Sequence, residues 1–190
     1  MHHTGSDKFD LDDLLARLKK AAITPDAARA VRAILEETVS APEAVAIGMP
    51  TFTENEAILF EDDTISIWFC RFMPGISVPP HDHQMSATIG IYRGSERNDF
   101  YEKDPTKDTN NGDLGGIRKS GKAELSPGEV LSIGPSAIHS VTCISDEPCC
   151  GIHVYLGKLS TVDRSLFNTE TNETLKFTDE NYHQLQGLNG

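Results

Sequence analysis

The sequence predicts a mainly β domain, a closed or double-sheet β framework with helices packed on its outside. Three observations predict it. From about residue 56 onward, short β-rich runs alternate with turn signals at close spacing, the pattern of an all-β barrel or sandwich. Residues 9–47 instead carry helical periodicity. The whole chain has 190 residues, enough for one well-cored domain and short for two. The expected organisation is a single domain over 1–190: a helical segment at 9–47, a β-barrel at 56–156 and a C-terminal extension at 157–190.

The elements follow in order. Leu11, Leu14, Leu15 and Leu18 make one apolar stripe of a first helix. Thr24-Pro25-Asp26 reads as the start of a second, with Thr24 as cap, Pro25 at the first helical position and Asp26 favoured by the dipole. Val31, Ile34, Leu35 and Thr38 continue its inner face. Ser40-Ala41-Pro42-Glu43 predicts a short third helix. Strand-like runs are 57–60, 64–72, 86–93, 99–102, 117–125, 129–133, 139–144 and 150–156. Trp68, Phe69 and Phe72 read as core. The polar stretch 104–116 reads as a hairpin tip, and a short helix is expected near 162–167.

A net charge of −12 argues against a nucleic-acid or anionic-membrane partner, because clustered Lys/Arg is missing. No apolar run is long enough to cross a bilayer, and the start lacks the apolar stretch of a signal peptide, so a cytoplasmic location is expected. The four cysteines, Cys70, Cys143, Cys149 and Cys150, form no Cys-x-x-Cys pair and read as small buried thiols.

The chemistry concentrates in histidines. In a strand, alternate side chains share a face, so His81-Asp82-His83 sets two imidazoles side by side, a ligand pair suited to iron, nickel, copper or zinc. Gly75-x5-His81-x-His83, with Gly94 beyond, resembles the first cupin motif. Gly128 through His139, with Gly134-Pro135 between, resembles the second. The resemblance implies a cupin double-stranded β-helix, a jelly-roll-like barrel, in which His81, His83 and His139 form one metal site. Most cupins add a glutamate a few residues after the His-x-His; here the positions hold Gln84, Met85, Ser86, Ala87 and Thr88. Three neutral imidazoles leave a divalent metal its full charge and open positions, which suit a thiolate.

Gly151-Ile152-His153-Val154-Tyr155 resembles the Ser-x-His-x-Tyr signature of the thiol dioxygenases, the cysteine dioxygenase family, in its bacterial type. That resemblance implies an iron(II) enzyme adding both atoms of dioxygen to the sulfur of a small thiol, such as cysteine or 3-mercaptopropionate, to give a sulfinate. Tyr155 and His153 take the catalytic positions, and Gly151 replaces the serine of the relay. Ala87 stands in the region of the crosslinking cysteine of mammalian-type members, so Tyr155 is expected as an unmodified phenol. Arg164, with Phe167 after it, matches the position of a carboxylate-binding arginine. Glu54 falls where mammalian-type members carry theirs, and Met85 shares strand parity with His83, so both are candidate substrate contacts. Arg71 and Tyr92 are further candidates without a distinguishing signal; His2, His3 and His183 are expected to be exposed and inert. The implied partners are a small thiol and dioxygen, and the chain is expected as a monomer or small homo-oligomer. Nickel or zinc remain alternatives to iron. A different cupin metalloenzyme, cleaving carbon–carbon bonds or hydrolysing its substrate, and a non-catalytic metal-binding sensor are the rival functions.

Overall fold

The computed structural model describes residues 8–107 and 116–188. Three helices come first: α1 (Leu11–Ala22), α2 (Ala27–Val39) and α3 (Pro42–Gly48). The Asp10 carboxylate accepts the Asp13 N–H at 3.1 Å and caps α1, with Asp12 and Asp13 in its first turn and Lys19 and Lys20 in its last, matching the dipole. The predicted start of α2 shifts. Thr24 turns back to close α1, its hydroxyl donating to the Ala21 carbonyl at 2.8 Å. Asp26 takes the N-cap position instead, with its carboxylate on Arg29 rather than on a backbone N–H.

The strands are β1 (Glu56–Glu61), β2 (Ser66–Phe72), β3 (Ser77–Asp82), β4 (Ala87–Arg93), β5 (Glu96–Lys103), β6 (Ile117–Leu125), β7 (Val130–Ile133), β8 (Ile138–Cys143), β9 (Cys149–Tyr155), β10 (Ser165–Phe167) and β11 (Thr174–Lys176). They form two antiparallel sheets, ordered β1-β2-β9-β4-β7 and β11-β10-β3-β8-β5-β6. The mainly β fold class and the outer helices are as expected. Three details differ. β3 adds a strand that the strand-like runs left out, although the His81-x-His83 spacing implied one; its ladder to β8 is irregular between Val78 and His81, where proline N–H groups are missing. The helix expected near 162–167 is a 3-10 turn at Leu159–Thr161 followed by β10, which pairs with β3 and β11. A fourth helix, α4 (Asp179–Leu188), lacks a clear apolar stripe, and its docking on β3 is tertiary. Of the predicted hairpin tip at 104–116, residues 108–115 lie outside the described residues, as do His2 and His3.

Period-two alternation divides the five-stranded sheet into two faces. Ile67, Phe69, Ile152 and Val154 point outward and join Leu14, Leu18, Val31, Leu35 and Val39 of the helices in the largest apolar cluster. Trp68, Cys70, Phe72, His153 and Tyr155 point the other way, into a cavity between the sheets. Gly90 on β4 lets α2 approach: a Cβ there would lie 3.1 Å from Val39 Cγ1. Among the described residues no helix is long and apolar enough to span a membrane.

Leu35 is fully buried in the helix–sheet layer and remote from the cavity. Leu35→Ala is expected to cost about 2–5 kcal/mol in urea denaturation while leaving metal affinity in a direct titration unchanged.

Candidate metal centre

β3 and β8 pair so that His81 stands opposite His139, and His83 follows just past the end of β3. The ring centroids lie 4.6 Å (His81–His139), 4.7 Å (His81–His83) and 5.2 Å (His83–His139) apart. One nitrogen of each ring falls within 4.8 Å of the other two. Nε2 of His83 and Nε2 of His139 are 3.0 Å apart. Two nitrogens bound at ~2.1 Å and a right angle would be separated by ~3.0 Å, so the spacing fits a shared ion.

The tautomers agree with that use. His81 Nδ1 donates to the Pro79 carbonyl at 2.9 Å, and His139 Nδ1 donates to Asn98 Oδ1 at 2.8 Å. Each ring therefore presents a bare Nε2 to the cavity. His83 Nδ1 is buried without a partner among the described residues. Burial pulls the basicity of all three down, His81 to about 4 and the other two well below the ordinary histidine value. They are neutral at neutral pH, the form that binds a metal.

Behind His139 runs a buried polar chain that sequence reading did not find. Asn98 Nδ2 donates to Glu96 Oε1 at 2.8 Å, which holds the amide so that its oxygen faces His139. Cys149 Sγ donates to the other Glu96 oxygen at 3.7 Å. Glu96 is 0% exposed, and burial pushes its carboxyl up to about 7 against the opposing pull of Asn98 and Cys149. All four cysteines are unpaired and buried, and burial raises the thiols of Cys70, Cys149 and Cys150.

The facing sheet supplies His153 and Tyr155. The Tyr155 ring lies 4.9 Å from the His83 ring, and its hydroxyl is 3.4 Å from His153 Nδ1. Trp68 packs edge-on against Tyr155. Burial drives Tyr155 well above the ordinary phenol value, so it keeps its proton, and drives His153 down to about 3, so it stays neutral. His153 Nε2 is buried with no partner among the described residues, and a Cβ built on Gly151 would lie 3.3 Å from it. A side chain at 151 would stand beside this nitrogen.

The cavity has a volume of about 780 Å³. Arg164 is on its wall, with its guanidinium over the Phe177 ring at 4.0 Å. The nearby acid Asp163 is engaged elsewhere, paired with Lys176 at 2.7 Å. The backbone that carries Arg164 is pinned to the histidine segment. Asp82 Oδ1 accepts the Ser165 N–H at 2.8 Å, and Gln84 Nε2 donates to the Asp163 carbonyl at 2.6 Å. Gln84 holds a left-handed backbone (φ 55°) directly after His83.

Glu54 is on the rim of the cavity and exposed, its carboxylate accepting the Thr53 hydroxyl at 2.6 Å. Met85 packs instead in the apolar cluster with Ala87, Tyr155 and Leu159, against Gly157 and off the cavity wall. Arg71 is on the wall, and its guanidinium binds the Phe52, Thr53 and Glu54 carbonyls and Asn55 Oδ1, fixing that loop. Tyr92 is buried in the helix–sheet layer. Phe167 is buried next to Ile117 and Ile138. Phe177 and Tyr182, stacked at 5.8 Å, close the cavity from the C-terminal segment, with Phe177 edge-on to His81. His183 is exposed but also on the wall. Neither aromatic, nor Glu56 beside them, was found from sequence.

No protein-family model matches the sequence. Among solved structures, it is similar to an uncharacterized protein with a double-stranded β-helix domain from Klebsiella pneumoniae (14% identity over 65% of this chain and 94% of that one, TM-score 0.43). It is also similar to a cupin superfamily protein from Desulfitobacterium hafniense (18% identity, 57% and 84%, TM-score 0.40). A third is oxalate decarboxylase from Bacillus subtilis (16% identity, 66% and 28%, TM-score 0.42). The chain spans about half or less of two further chains that it resembles, 51% of one and 21% of the other. Each likeness is one of strand framework at low identity; the histidine site rests on this chain's own geometry.

Two outcomes are expected. Asn98→Ala should weaken binding of cobalt(II) or zinc(II) by about 10–100-fold in a direct titration, with a thermal melt showing the fold retained. The metal-free protein should lose stability on acidification. The unfolded chain takes up histidine protons near pH 6.5, whereas folded His81 resists to about 4 and His153 to about 3. Their contribution is thus complete above pH 6.5 and is lost as the pH falls toward those values. Denaturant midpoints measured from neutral to acidic pH check the direction.

Proposed function

We propose that this chain is an iron(II)-dependent thiol dioxygenase that converts a small thiol, R–SH, and dioxygen into the sulfinic acid R–SO2H. Both oxygen atoms end on sulfur, so no external reductant is required. The observation that carries this reading is the meeting of two groups across one cavity. Three neutral histidines without a carboxylate come from one sheet, and a hydrogen-bonded Tyr155–His153 pair comes from the other. His81, His83 and His139 would hold the metal. Iron(II), when bound, supplies the electron-transfer chemistry that lets dioxygen react with a closed-shell thiolate.

The remaining work belongs to the chain. The three imidazoles add no negative charge, so an anionic sulfur is favoured at the site. Tyr155 keeps its proton, and its long 3.4 Å contact with His153 leaves the hydroxyl free to turn toward a ligand. His153, neutral and anchored in β9, orients that phenol. Arg164 offers two parallel donors to a carboxylate, with Phe177 fixing the plane of its guanidinium. Trp68, Phe177 and Tyr182 limit water around the reacting sulfur.

The test is oxygen uptake and sulfinate mass spectrometry on iron-loaded protein. Cysteine, cysteamine, 3-mercaptopropionate and mercaptosuccinate are offered beside acetylacetone. At least one thiol should be oxidised. His81→Ala should abolish metal binding and turnover. Tyr155→Phe should retain metal and slow turnover about 10-fold or more. Near-normal oxygen uptake by His81→Ala, or oxidation of the diketone alone, overturns the reading.

A further inference from the structure

Two acids are buried among the described residues, Asp99 and Glu96. Asp99 is paired with two cations, Lys119 Nζ at 2.8 Å and Arg97 Nε at 3.3 Å. Glu96 is 0% exposed and has no Lys or Arg partner among the described residues. A carboxylate enclosed without a countercharge is costly, and what it touches shows where a countercharge would come from.

Glu96 and Asn98 are alternate residues of β5 and share its inner face. β5 pairs with β8, the strand that carries His139. Glu96 Oε1 accepts from Asn98 Nδ2 at 2.8 Å, and Asn98 Oδ1 accepts from His139 Nδ1 at 2.8 Å. Two hydrogen bonds and one imidazole ring thus connect the carboxyl to the candidate ion. Cys149 Sγ, from the facing sheet, donates to Glu96 Oε2 at 3.7 Å. An amide nitrogen can only donate and a thiol sulfur accepts weakly, so both Glu96 oxygens meet donors, the arrangement of a carboxylate. The other two histidines are backed differently. His81 Nδ1 donates to a neutral backbone carbonyl, and His83 Nδ1 has no partner among the described residues.

We propose that Glu96 is a positioning residue of the metal centre, holding Asn98 on His139 and lending the ion, through that pair, the negative charge that three imidazoles do not provide. Asn98 alone would fix the plane of the ring. The charge behind it makes His139 a stronger ligand than its two neighbours, and in an enclosed chain of hydrogen bonds little of that polarisation is lost to solvent. The ion in turn is the countercharge that Glu96 lacks. This role requires an ion on the histidines and is independent of the thiol reading.

The test compares the unmodified protein with Glu96→Gln, which keeps the shape and an acceptor for Asn98 and removes the charge. Cobalt(II) is titrated at pH 8, above the value of about 7 to which burial pushes the Glu96 carboxyl. Glu96→Gln should bind cobalt(II) about 10-fold or more weakly. The midpoint potential of bound iron should shift upward, because a nearby negative charge favours iron(III). Metal-free Glu96→Gln should melt no lower than the unmodified protein, since an unpaired buried carboxylate is gone. Asn98→Ala, which cuts the link and leaves Glu96 in place, should move affinity and potential in the same directions, and the double variant should add little to either single one. Unchanged affinity and potential in Glu96→Gln overturn the proposal. So does a lower melting temperature of metal-free Glu96→Gln with cobalt(II) affinity retained, the signature of a merely structural role. Additive losses in the double variant overturn the path through Asn98. Should Glu96→Gln fail to fold, the potential of Asn98→Ala decides, and an unchanged value overturns the proposal. An unmodified protein that binds no divalent ion overturns it together with the metal centre. A Glu96-dependent affinity in protein that oxidises no thiol supports Glu96 and overturns only the thiol reaction.

Discussion

The register between β3 and β8 places His81 directly opposite His139, and the site is built outward from that pairing. Because strand side chains alternate, a slip of one residue would send one histidine of the pair into the outer face and leave the other alone. The ladder shifts its register by one residue across Pro79-Pro80, which lack two donors, and the shifted register is the one that sets the histidine pair. Inside the irregular stretch the Pro79 carbonyl accepts His81 Nδ1. The same break that weakens the strand thus fixes the tautomer of a ligand. On the other sheet, alternation along β9 makes Ile152 and Val154 part of the helix-covered core and His153 and Tyr155 part of the cavity. Packing of α2 and α3 outside therefore positions chemistry inside.

Electrostatically the cavity has two zones. Its floor is made of groups that burial keeps neutral: four imidazoles, a protonated phenol and an indole. Its rim carries the charges, acids from β1 and α4 and guanidinium from the segment before β10. This division follows from desolvation. Charged side chains are tolerated where water reaches them, and deep positions are left to groups that ionise reluctantly. Glu96 departs from the pattern, being fully enclosed, but it sits behind the histidines and accepts bonds from Asn98 and Cys149 rather than facing the cavity.

The three histidines, the β-framework and the outer helices were legible because each depends on local spacing: alternate residues on a strand, apolar residues on one helix face, glycine and proline at turns. His153 and Tyr155 were legible for the same reason, and the structure brings them to the histidines. What escaped depends on tertiary proximity. A glutamate at 96 has no local mark that separates a buried group from a surface one. Phe177 and Tyr182 lie in a tail without strong periodicity, and only its docking on β3 brings them over His81. Glu54 and Glu56 are indistinguishable by residue type; one sits in the loop before β1 and the other opens β1, and both are exposed on the cavity lining. Met85 has the strand parity expected of a cavity residue, yet the left-handed turn at Gln84 breaks the alternation after His83 and redirects it into the apolar cluster.

That turn has another consequence. Asp82 and Gln84, interleaved with the two histidines, hold the backbone on either side of Arg164. The segment that would hold an ion and the segment that would hold an anion are thus one mechanical unit. Whatever orders the first also orders the second, and thermodynamic linkage makes the effect reciprocal. An anionic ligand on Arg164 would slow loss of the ion from the histidines, and a vacant histidine cluster would loosen the grip of Arg164. Such a site fills as a pair and empties as a pair, which guards it against holding a reactive ion with no ligand beside it.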